Sequence, residues 1–171
     1  MREVVSSHSK EISLCFIGSA LKNRGVQSLL NGVLQYLPSP VDRVENQVLS
    51  SGKTPINLKN ELMDKNLIAL VFKVINDPSY GQLHYTRVYS GSLLAKQEFQ
   101  NSSTKTTEKA AHLMRVQADD YKSVDKISFG DIVALTGLKS TRSGDTLLSY
   151  GDERDLVLDR PEIPAPVFLC S

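Results

Sequence analysis

LIALVFKVINDPSYGQLHYTRVYSGS, Leu67 to Ser92, is the stretch that decides the fold. The apolar run LIALVFKVI reads as a strand, and Asn76-Asp77-Pro78-Ser79-Tyr80-Gly81 follows it with the residues a turn requires. LHYTRVY is a second strand. Ser90-Gly91-Ser92 is a tight connection in which Gly91 is free to take positive φ. The same grammar continues toward the C-terminus. A third strand is expected from Leu93 to Phe99, then a polar hairpin tip, NSSTKTTEK, then KAAHLMRVQ and a loop containing Asp119-Asp120. KISFGDIVALTGL and the segment around Thr146-Leu147-Leu148 complete the run. About six short strands with no helix between them predict a small antiparallel barrel, which closes its own edges.

Working back toward the N-terminus, the pattern changes. Ile12–Ile17 (ISLCFI) reads as a short buried strand ended by Gly18-Ser19. From Arg24 onward, Val26, Leu29, Leu30, Val33, Leu34 and Leu37 recur at spacings of three and four, placing them on one helical face. Pro38 and Pro40 stop that helix. A strand–loop–helix unit cannot bury its own faces and needs a parallel sheet to lean on. Between it and the barrel lies a polar connector, Val41–Asn66, with a helical turn expected near Leu58–Met63. Ser51-Gly52-Lys53-Thr54 within it looks like the tail of a phosphate-binding loop. The first glycine of that motif is replaced by Gln47, so a polar turn is the better reading. PEIPAPVFLCS, at the C-terminus, begins another extended segment, and both ends of the chain look cut.

Composition narrows the function classes. The chain has 171 residues, 40% hydrophobic and 23% charged, the balance of a soluble globular protein. Twenty basic against 19 acidic residues give a net charge of +1, so any contact with nucleic acid must come from local patches. Trp is absent and aromatics make up 6%, which limits stacking platforms for single strands. Cys15 and Cys170 stand far apart in apolar surroundings, and His8, His84 and His112 are isolated, so neither a disulfide framework nor a metal site is indicated. Asn101-Ser102-Ser103 fits a glycosylation sequon, but no secretory signal precedes it. No run approaches the ~20 apolar residues of a membrane span, and no membrane partner is expected.

Four separated motifs, in order, carry a resemblance. GSALKNRGVQSLLNGVLQYLPSP (18–40), FKVINDPSYGQLHYTRVYSGSL (72–93), FGDIVALTGLKSTRSGDTLLS (129–149) and PEIPAPVF (161–168) resemble the elongation factor G family of translational GTPases. The likeness spares only the first ten residues and the connector, which is longer than the family's. GLKSTRSGDTL and EIPAPVFLC are most similar to the family's mitochondrial elongation factor G 2 branch, the ribosome-releasing factors. That resemblance implies a mainly β chain: an antiparallel six-stranded, translation-factor-type β-barrel preceded by a strand–helix remnant of an α/β GTPase domain. The implied divisions are 1–40 for the end of the GTPase domain, 41–66 for a linker, 67–158 for the barrel and 159–171 for the start of the next domain.

The resemblance also implies roles. Ser19, Ala20 and Leu21 would line a guanine base and Lys22 the pocket rim, because backbone N–H groups there can donate to guanine O6. Read without the family, the same loop is a helix entry capped by Ser19 or Asn23. The chain carries no GxxxxGK[ST], DxxG or NKxD element, so it should not hydrolyse GTP. GTP and Mg2+ belong to the intact parent, and no cofactor or metal is expected here. The barrel would dock on small-subunit ribosomal RNA and couple to the parent's GTPase domain, as a monomer, in mitochondria by resemblance and otherwise in the cytoplasm. The RNA-facing candidates are Lys139, Ser140, Thr141 and Arg142 in one loop, with Arg87 and Lys96 near the Ser90-Gly91-Ser92 turn. Nothing in these residues separates recycling from translocation. Two alternatives stand beside this reading. One is a free-standing interaction barrel with the helix across its mouth. The other is a flavin-binding barrel, since Arg87-Val88-Tyr89-Ser90 matches the R-x-Y-S pattern of flavin reductases.

Overall fold

The computed structural model describes residues 13–40, 48–50, 55–56, 66–118, 120–154 and 156–159. The chain forms two compact units, Met1–Val44 and Glu45–Ser171.

In the first unit the predicted helix forms over Val26–Tyr36. Its N-cap is Gly25 at φ +76°, and no side chain caps it, so neither Ser19 nor Asn23 takes that role. Leu37 is extended, as a residue before proline must be, and ends the helix. The expected strand is not formed: Ile12 lies outside the described residues, and 13–18 join no ladder. A strand exists only through its partners, and the described residues offer this segment none. Instead, Phe16 packs on the helix at Gly32, where a Cβ would come within 2.3 Å of the ring.

The second unit is mainly antiparallel β, as expected. Thirteen strands are formed among the described residues: β1 (Val48–Ser50), β2 (Pro55–Ile56), β3 (Ile68–Asp77), β4 (Gly81–Ser90), β5 (Ser92–Leu94), β6 (Glu98–Asn101), β7 (Thr107–Lys109), β8 (Leu113–Gln117), β9 (Asp120–Val124), β10 (Lys126–Ser128), β11 (Ile132–Thr136), β12 (Thr146–Ser149) and β13 (Leu156–Leu158). Eight make one sheet in the order β7-β6-β12-β3-β4-β11-β8-β9, while β5 pairs with β10 in a separate ribbon. The mainly antiparallel β fold is the one expected, with more and shorter strands than the six that the sequence predicts. The difference begins at Lys96, whose φ of +64° turns the chain and splits the predicted Leu93–Phe99 strand into β5 and β6.

The β3–β4 hairpin closes as its turn predicts. Asp77 Oδ1 accepts the N–H groups of Ser79 (2.8 Å) and Tyr80 (3.0 Å), and Gly81 supplies φ +73°. One face of the sheet buries Val71, Val88, Phe99, Leu113, Val133 and Leu147 together. The other face of β3 buries Ile68 and Leu70 against Leu148 and against Leu156 and Leu158 of β13. Burial on both faces is why β3 reads as an unbroken apolar run rather than an alternating one.

The connector is not featureless. Val48–Ser50 pairs antiparallel with both Leu156–Leu158 and Pro55–Ile56. Ser51-Gly52-Lys53-Thr54 lies outside the described residues. The turn expected at Leu58–Met63, His8, Cys170 and the segment from residue 160 onward also fall outside the described residues.

Candidate functional site

The predicted basic loop, Lys139–Arg142, links β11 to β12, and its shape is set from beneath by side chains distant in sequence. Glu108, on β7, reaches it first. Its Oε1 accepts the backbone N–H groups of Lys139 and Ser140, each at 2.8 Å, and its Oε2 accepts the Thr141 hydroxyl. Asn101, at the end of β6, donates its amide to Thr141 Oγ1 (3.2 Å) and to Asp145 Oδ2 (2.9 Å). Asp145 Oδ2 also accepts the N–H of Arg142 at 2.8 Å. Below them the His84 ring donates from Nε2 to the Thr141 carbonyl at 3.2 Å. A carbonyl only accepts, so Nε2 carries the proton and Nδ1, buried and without a partner among the described residues, is the free acceptor.

This network is buried while the loop's charges are not. Asn101, His84, Thr141 and Asp145 are all less than 8% exposed, whereas Lys139 and Arg142 are exposed. Burial works to raise the Glu108 pKa, but the Thr141 hydroxyl and then the Ser140 and Lys139 amides outweigh it and hold the carboxyl below its usual range. Thr141 is thus a structural member of the loop, its hydroxyl already engaged. The sequon asparagine, Asn101, is equally committed to the interior.

Above the network lies a concavity of about 890 Å³. Lys139 and Arg142 line it together with the hydroxyl residues Ser103, Thr104, Ser140 and Ser143. Sequence reasoning missed Ser103 and Thr104, which the β6–β7 turn carries across. Asn101 Oδ1 accepts their N–H groups at 2.9 and 3.2 Å and fixes that turn. The hydroxyl-rich tip NSST was the available signal. Thr141 and the carboxylate Asp145 line the concavity too, and Ser143 Oγ already donates to the Phe72 carbonyl at 2.9 Å, so it is the two exposed cations that suit it to phosphate oxygens.

The other predicted residues lie elsewhere. Arg87 is half-buried on β4, with its guanidinium 5.1 Å from the centroid of the Tyr89 ring. Tyr89 itself packs against the Ile68–Leu70 cluster, so this R-x-Y pair engages itself. Lys96 is exposed on the positive-φ turn between β5 and β6. Neither lines the concavity. In the first unit, Ser19 and Arg24 exchange backbone hydrogen bonds (2.8 and 3.0 Å), and Ala20, Leu21, Lys22 and Asn23 make the intervening turn. Leu21 is 97% exposed at its tip. Among the described residues no group of His, Cys, Asp and Glu could hold a metal ion, and no helix is long and apolar enough to cross a membrane.

Comparison with known proteins completes the description. The family model described as elongation factor G domain 2 matches residues 66–150. Elongation factor G of Orientia tsutsugamushi (strain Boryong) is 41% identical over 151 residues, 88% of this chain and 21% of its own length. That of Petrotoga mobilis is 43% identical over 156 residues, 90% of this chain and 22% of its own. The chain thus spans about a fifth of the length of these curated relatives. A crystal structure of a Thermus thermophilus protein shares the fold, with a TM-score of 0.56 at 24% identity over 82% of this chain and 19% of that one. The antiparallel fold and these matches agree: the chain belongs to the elongation factor G family, with residues 66–150 matching its second domain.

Proposed function

We propose that this chain provides the ribosome-docking domain of an elongation-factor-G-like GTPase, and that it docks through the phosphates of small-subunit ribosomal RNA. The observation that carries the reading is the concavity in which the exposed Lys139 and Arg142 stand among hydroxyl residues over a buried, hydrogen-bonded scaffold. Such contacts position a protein on RNA without reading its sequence. Arg87 and Lys96 would form a separate, weaker contact.

In the intact protein this domain would couple docking to the nucleotide state of a GTPase domain, which would supply the GTP and Mg2+ sites. The Ser19–Lys22 turn would border the guanine base. The chain alone would neither hydrolyse GTP nor retain it in a filter-binding assay, and it would act as a monomer. A narrower role, ribosome recycling in mitochondria rather than translocation, rests on the resemblance of Gly137–Leu147 and Glu162–Cys170. A ribosome-splitting assay with the full-length factor decides it.

Co-sedimentation of the 171-residue chain with purified small ribosomal subunits tests the docking reading. Saturable binding should weaken as salt rises, because contacts to phosphate release counterions. Changing Lys139 and Arg142 together to Glu should abolish it. Binding that is indifferent to both salt and the double substitution would rule the concavity out.

A further inference from the structure

The backbone of the loop at Lys139 is held by a carboxylate 31 residues earlier in the chain. From this we infer that Glu108 is the positioning residue of the anion-binding loop: its carboxylate organises the backbone of Lys139–Thr141 and thereby sets where Lys139 points. The inference rests on the docking reading above for its functional consequence and on geometry alone for its structural part.

Glu108 oxygens receive three donors from three consecutive residues, the N–H of Lys139, the N–H of Ser140 and the hydroxyl of Thr141. Two adjacent amides aimed at one oxygen fix the peptide planes on both sides of Lys139, and so the direction in which its side chain leaves the loop. Arg142 is fixed from the other end, through its N–H on Asp145. Asn101 ties the two ends together by bonding both Thr141 and Asp145. Within this frame Glu108 has a feature the others lack. It stands on β7, an edge strand that among the described residues pairs only with β6, so it can be altered without opening the core.

Electrostatics gives the inference a sign that a bystander carboxylate could not share. Glu108 is a negative charge close to two cations that would face a polyanion. By Coulomb's law alone, removing it should strengthen binding of RNA phosphates. A positioning role predicts the reverse, because the loop loses the partner that shapes it.

The experiment compares Glu108→Ala and Glu108→Gln with the parent chain in two measurements. The first is amide hydrogen exchange. Losing the acceptor should speed exchange at Lys139 and Ser140 by about tenfold or more in Glu108→Ala, with Val133–Leu135 of β11 unchanged as the sign of an intact sheet. Glu108→Gln, which keeps one acceptor oxygen, should stay near the parent. The second is binding to purified small ribosomal subunits. Glu108→Ala should bind about tenfold more weakly and with a shallower dependence on salt, and Glu108→Gln should restore most of the affinity. Unchanged exchange at Lys139 and Ser140 in Glu108→Ala overturns the inference, whatever the binding result. So does equal or tighter binding of Glu108→Ala in a system where the Lys139 and Arg142 charge reversal abolishes it. If that charge reversal has no effect, the docking reading fails, and the exchange measurement still decides whether Glu108 holds the loop.

Discussion

In the helix Val26–Tyr36 only Gly32 is buried, and Val33, Leu29, Leu30 and Leu34 expose 43%, 47%, 57% and 78% of their surface. In β3, four consecutive residues, Ile68, Ala69, Leu70 and Val71, expose no more than 5% each. The two segments use the same apolar residue types with periodicities proper to their elements. What separates them is supply of a complementary surface. The strand and its approach draw partners from far along the chain: Leu67 N–H donates to Ser149 Oγ across 82 residues, and the N–H of Val71 bonds the Asp145 carbonyl. Among the described residues, the helix receives the Phe16 ring at Gly32. Periodicity therefore tells which face an element offers, and burial depends on whether anything answers it.

Four further substitutions test how deep that contrast runs. The largest effect is expected from Phe99→Ala, because the ring is fully buried at the centre of the sheet's inner cluster. Urea unfolding should show a loss of about 3–5 kcal/mol, and a loss below about 1 kcal/mol would mean that the cluster is not the cooperative core of the second unit.

Thr136→Val should move stability the other way. The Thr136 hydroxyl is buried without a hydrogen-bond partner among the described residues, so an isosteric methyl should stabilise by about 1 kcal/mol. A loss of stability instead would reveal a partner for that oxygen, such as a buried water.

A smaller effect, whose pH dependence lies in acid, belongs to Glu108. Its pKa is depressed in the folded chain, so the carboxylate's contribution is present above its unfolded pKa and is lost as pH falls through the lower folded value. Glu108→Gln should lose that small contribution at neutral pH, converge with the parent once pH falls below the folded value, and so flatten that part of the acid limb. An acid limb identical to the parent's would show that the three hydrogen bonds contribute nothing net. Asp152, whose pKa is lowered mainly by its hydrogen bonds with Arg154, should act over a similar range.

The smallest effect is reserved for the helix. Leu34→Ala should shift thermal unfolding by less than the equivalent of about 0.5 kcal/mol, since the side chain has little burial to lose. A cost of about 2 kcal/mol or more, the range of a buried leucine, would place Leu34 in a packed interface and erase the contrast.

What sequence reading could reach follows from the range of the forces involved. The β3–β4 hairpin, the turn at Asp77–Gly81 and the end of the helix before Pro38 were legible because turn chemistry, side-chain period and proline geometry act within a few residues. Lys139 and Arg142 were legible as a basic cluster because they lie close together in one loop. The split of the third strand at Lys96 was not, since a positive φ at lysine carries no compositional mark. The pairing of Val48–Ser50 with Leu156–Leu158 was equally hidden inside a polar connector, because a ladder is specified by both of its members.

The order of residues alone settles the class of this protein: short strands with turns of known chemistry, one amphipathic helix, and a basic loop whose neighbours mark it as a second domain of the elongation factor G family. Which residues surround and support that loop is settled only by the folded chain. Ser103 and Thr104 reach the concavity, Thr141 lines it while bonded to the scaffold, Asn101 lies beneath, and Glu108 becomes the loop's support, because strands β6, β7, β11 and β12 bring groups 31 to 44 residues apart within hydrogen-bond reach. Hydrogen bonds act over about 3 Å, and along this chain that distance is set by the sheet and not by the order of the residues.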